Sequence, residues 1–167
     1  MGPNSIARTH ARRTMDFKQL DRGEVIATAG GVLLAISIFL PWYSLGNANA
    51  ALGGCHGPHT SCSAWNALSV IRVLLLLAAF APVILAWIII RGHALSWPRG
   101  ELTAITALAA LTFIIFRGLI DKPGTPSGEI SVDYGWWVAL LGGLLILTGS
   151  IWRSRESATR RKPPGVL

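Results

Sequence analysis

The residues best equipped for chemistry lie together. Cys55-His56-Gly57-Pro58-His59-Thr60-Ser61-Cys62 holds both cysteines of the chain and two of its four histidines. Three chemistries use such a set. Two cysteines alone in one short loop form a disulfide where the compartment is oxidising, and Gly57-Pro58 favours the turn that brings them together. Cys55, His56, His59 and Cys62 are also four soft or borderline metal ligands. Adjacent ligands such as Cys55 and His56 converge poorly on one ion, however, and the spacing is not that of a zinc ribbon or finger. Redox exchange is the third chemistry, and its usual relay needs a second cysteine pair that the chain lacks. The expectation is a Cys55–Cys62 disulfide worth about 2.5 kcal/mol, with no metal and no cofactor.

A second set is charged. Arg72 lies inside an apolar run, and Arg117 lies near the end of another. A charge within a membrane span is costly and marks a candidate site. A helical side chain leans toward its own N-terminus, which lets Arg72 reach back to the headgroups, while Arg117 has Asp121 at the favourable i+4 spacing. Arg72 and Arg117 with Asp121 or Asp133 form a candidate intramembrane cluster. It would fix helix register, or hold an anionic headgroup or a partner's carboxylate. No Ser-His-Asp pattern, phosphate-binding glycine loop or HExxH motif occurs. No acidic residue falls at mid-span, which argues against ion-coupled transport.

The elements that must position these residues follow from hydropathy. The chain is 51% hydrophobic and 14% charged, against about a quarter charged in a soluble domain. Apolar runs at 25–45, 65–90, 102–120 and 134–152 are each close to the roughly 20 residues that cross a bilayer. In lipid such runs must be helical to satisfy their own backbone. The sequence therefore predicts an all-α, four-helix transmembrane bundle over 24–152. A basic N-terminal segment, 1–23, precedes it, and a basic disordered tail, 153–167, follows. The net charge of +7 is concentrated at the run ends, and the loop between the first two runs has no Lys or Arg. This positive-inside pattern puts both termini in the cytoplasm and the cysteine loop outside, and it removes the reason to invoke nucleic acid. Trp42, Tyr43, Trp65, Trp136, Trp137 and Trp152 are expected as interface anchors. Ala27, Gly31 and Ala35, with Ala139 and Gly143, read as small-residue packing faces within the bundle.

The segments Phe39-Leu40-Pro41-Trp42-Tyr43-Ser44 and Ser63-Ala64-Trp65-Asn66-Ala67 resemble the end of the first span and the start of the second in small four-span membrane proteins of actinobacteria. That resemblance implies localisation and architecture, and no mechanism. The layout also resembles the quinone-linked disulfide-forming membrane oxidoreductases, which pair closely spaced cysteines twice. Claudin-type proteins place two cysteines in the first outer loop too, but after a Gly-Leu-Trp that this chain lacks. The expected function is a non-enzymatic accessory or scaffolding subunit of a bacterial cell-envelope complex, multi-pass in the plasma membrane, with the lipid bilayer and other membrane proteins as partners. The alternatives are a thiol-disulfide or quinone-linked oxidoreductase, and a lipid-binding or transport component using Arg72 and Arg117.

Overall fold

The first apolar run is two elements, not one. A proline disfavours helix in the residue before it, and Trp and Tyr suit a strand, so Pro41-Trp42-Tyr43 ends what Val25 to Leu40 began. In the structure, a computed structural model that describes residues 22–47, 49–57, 60–91 and 99–159, helix α1 covers only Arg22–Ser37. Strand β1 follows at Pro41–Leu45. The Trp42 indole N–H donates to the Ser37 carbonyl at 2.7 Å, occupying an acceptor that the helix end leaves open.

Short strands β2 (Ala51–Leu52), β3 (Cys55–His56) and β4 (Ser61–Ser63) come next, then a single helical turn, α2 (Ala64–Ala67). Helix α3 is Ile71–Ile90 and α4 is Arg99–Ile115, the latter continued by a π-helical turn at Phe116–Ile120. Strand β5 (Ile130–Val132) leads into α5 (Tyr134–Thr159). Strand β1 is central in an antiparallel sheet ordered β4-β1-β5, and β2 pairs with β3 in a second sheet.

These sheets overturn the expectation of an all-α four-helix transmembrane bundle. The fold is mixed, with two small sheets, and among the described residues three helices, not four, are long and apolar enough to cross a membrane: Ile71–Ile90, Gly100–Ile120 and Tyr134–Arg155. Helix α1 has 16 residues, about 24 Å. The tail expected to be disordered from 153 is helical to Thr159. The N-terminal segment up to residue 21, His59, the turn at 92–98 and the chain beyond Thr159 lie outside the described residues.

Glycines set the helix packing. Gly142 and Gly149, one heptad apart on α5, face α1. A Cβ at Gly30 would lie 2.7 Å from the Gly142 carbonyl oxygen, and one at Gly149 would lie 2.6 Å from the Ala27 nitrogen. Neither space exists, so the two backbones meet directly, as small residues allow. The adjacent Gly31 faces α3 instead, at Ala79 and the ring of Pro82. Ala139 is buried, Ala35 packs against the core, and Gly143 receives Leu111 of α4.

The contact partners fix the molecule's two ends. Gly23 meets Gly149 and Arg153 at one end, and Gly135 meets Pro41 at the other. The sheets lie at the second end. The core runs continuously from Leu34 and Ile38 in α1 into Trp42, Tyr43 and Leu45 of β1.

Candidate functional site

The sequence's chemistry gathers at the sheet end. Cys55 and Cys62 are bonded as a disulfide with an S–S distance of 2.09 Å. The β2–β3 turn uses Gly53 at φ 56°, a left-handed conformation open to glycine, and brings Cys55 opposite Leu52. Cys62 is 0% exposed and its Sγ lies 3.5 Å from the Leu52 carbonyl oxygen. Thiol exchange requires a thiolate to reach a bridge sulfur. This bridge lies within the core, where it ties the β2–β3 hairpin to β4. Among the described residues no group of three or more His, Cys, Asp or Glu could hold a metal ion.

Burial differs from expectation at three aromatic positions. Trp42 and Tyr43 are consecutive in β1, yet both are 0% exposed. Strand neighbours normally point to opposite faces. The register shift between Pro41 and Tyr43 is a bulge, and a bulge re-aims a side chain, so both rings enter the core. Trp136 is buried as well, its indole N–H donating to the Ile114 carbonyl at 2.8 Å. Trp42, Tyr43 and Trp136 are therefore core residues and not interface anchors. Trp65, Trp137 and Trp152 are exposed.

The expected charged cluster separates into three. The Arg72 guanidinium lies over the Trp65 ring, 4.6 Å from its centroid, and its Nη1 donates to the Trp65 carbonyl at 2.7 Å. Phe39 stacks on the same indole, with centroids 5.3 Å apart. Arg117 pairs instead with Asp121 across the π turn. The Tyr43 hydroxyl donates to the Arg117 carbonyl at 3.1 Å. Burial pushes the Tyr43 phenol well above its ordinary 10.0, with Arg117 opposing the shift and Asp121 adding to it. Asp133 starts α5, its Oδ1 accepting from the Tyr134 N–H at 2.7 Å, as an N-cap does.

One charged contact at the opposite end was not read from the sequence. Arg153 Nε lies 3.4 Å from Glu24 Oε1, both side chains being nearly inaccessible. Beside it Ser150 donates to Thr103 at 3.0 Å, so α1, α4 and α5 share polar contacts there. The available signal was Glu24 itself, a lone carboxylate at the head of an apolar run.

With this geometry in view, the chain was compared with known proteins: no protein-family model, curated protein or solved structure matches it. Its chemistry must be read from its own residues. They offer a stapled strand layer, a closed ion pair on α4, and one stacked arginine at the surface.

Proposed function

We propose that this is an integral protein of a bacterial plasma membrane, with the strand layer outside and both termini in the cytoplasm, acting as an accessory or scaffolding subunit of an envelope complex. The observation that carries the reading is α3. Its ends bear matching stacks, Arg72 over Trp65 and Arg91 over Trp87. Arg91 follows Arg72 by nineteen residues of one helix, about 28 Å, close to the roughly 30 Å of a hydrocarbon core. Between them Val73, Leu77, Phe80 and Ile84 are exposed. Apolar area on that scale marks a lipid or protein interface.

The accessory role rests on what the conspicuous residues are occupied with. The disulfide is internal, Arg117 is paired, and the glycine faces are used within the chain. Purification in mild detergent after in vivo cross-linking, followed by mass spectrometry, tests the role. The expected result is one or more membrane proteins in fixed stoichiometry. A stable, uncross-linked monomer would contradict it.

A further inference from the structure

The exposed stack at the sheet end continues into an apolar groove, and together they have the shape of a lipid site. Val25, Ala29, Val32 and Ile36 follow one another at helical spacing on the outer face of α1, and with Thr28 and Leu33 they line a groove of about 450 Å³. The stripe leads on to Phe39, 61% exposed, which stacks on Trp65. Arg72 lies over that indole and donates to the Trp65 carbonyl. No acidic side chain pairs with it among the described residues. A groove without a polar wall thus ends at a fixed, uncompensated guanidinium.

We infer that this is a binding site for an anionic phospholipid, one acyl chain lying along α1 and the phosphate on Arg72. The groove spans eleven residues of helix, Val25 to Ile36, about 16 Å. One leaflet of hydrocarbon is about half of 30 Å. Arginine presents a planar fork of donors suited to phosphate, and stacking on Trp65 holds that fork in place. The face of the indole that would attract a choline is covered by Arg72 itself, so the site favours an anionic over a zwitterionic headgroup. The inference rests on the membrane location proposed above and goes beyond the accessory role.

Native mass spectrometry of the delipidated protein, titrated with phosphatidylglycerol, tests it. Wild type should retain one phosphatidylglycerol and bind it about fivefold more tightly than Arg72→Gln, from the loss of one cation at an anionic headgroup. Ala29→Phe, which fills the groove at an exposed position, should weaken retention similarly. Dioleoylglycerol, which has chains but no phosphate, should bind wild type at least fivefold more weakly. Equal binding of the two lipids by wild type overturns the proposal, even if Arg72→Gln fails to fold, and so does undiminished retention by folded Arg72→Gln or Ala29→Phe. Alkaline carbonate extraction of the same membranes separates the two readings. A protein that stays in the membrane but shows no lipid preference loses only this inference, whereas one that is extracted loses the membrane location as well.

Discussion

Tyr43 links an outer strand to the last turn of α4 through one hydroxyl, and its environment makes that link sensitive to alkali. The phenol is raised by burial, so the folded protein keeps the proton at pH values where the unfolded chain, near its ordinary value of about 10, releases it. Stability from this residue is complete below about pH 10 and falls as pH rises beyond it. Thermal unfolding in detergent should show a steeper loss above about pH 10 for wild type than for Tyr43→Phe. The variant should be weaker by about 1 kcal/mol at neutral pH, the net worth of one hydrogen bond. Parallel curves for the two proteins would contradict the assignment. Glu24 and Arg153 pose the complementary test. Removing one buried charge leaves the other uncompensated, at a cost of about 3 to 5 kcal/mol. Glu24→Ala should therefore destabilise more than the pair Glu24→Met with Arg153→Met, as read from unfolding midpoints.

Element by element, the helices hold together through absent side chains. Gly142→Leu should force α1 away from α5, because a Cβ there already falls 2.8 Å from the Leu34 nitrogen. The expected outcome is loss of the monodisperse folded protein by size-exclusion chromatography, whereas Gly54→Ala, at a position open to space, should be silent. Replacing Cys55 and Cys62 with serine should cost about 2 to 3 kcal/mol through the freed loop, measured as a lowered unfolding midpoint that wild type reproduces under reductant. Much of this level was legible in the residues. The runs at 65–90, 102–120 and 134–152 correspond to α3, α4 and α5, and two isolated cysteines identified their own bridge. The strands were not legible, because an apolar helix end and an apolar strand look alike until pairing partners are known. Residues 38 to 45 read as helix, while β4 and β5 are only three residues each, too short to announce themselves. The bulge that turns Trp42 and Tyr43 inward depends on register, which no local pattern records. Arg72 was found as a costly charge, but its partner is an aromatic ring, not a carboxylate.

For the molecule as a whole, everything depends on an asymmetry between its two ends. One end is a disulfide-stapled strand layer, and the other carries the buried Glu24–Arg153 pair and both described chain ends. Three apolar helices of membrane length join them. The most direct test places one cysteine at each end: Ser127→Cys on the exposed turn before β5, and Glu101→Cys at the exposed start of α4. The cells are treated with a membrane-impermeant maleimide before or after lysis, and their membranes are then washed with alkaline carbonate. The account predicts that the protein stays in the membrane, that the residue-127 variant is labelled on intact cells, and that the residue-101 variant is labelled only after lysis. Extraction by carbonate, or labelling of both positions from the same side, would contradict it.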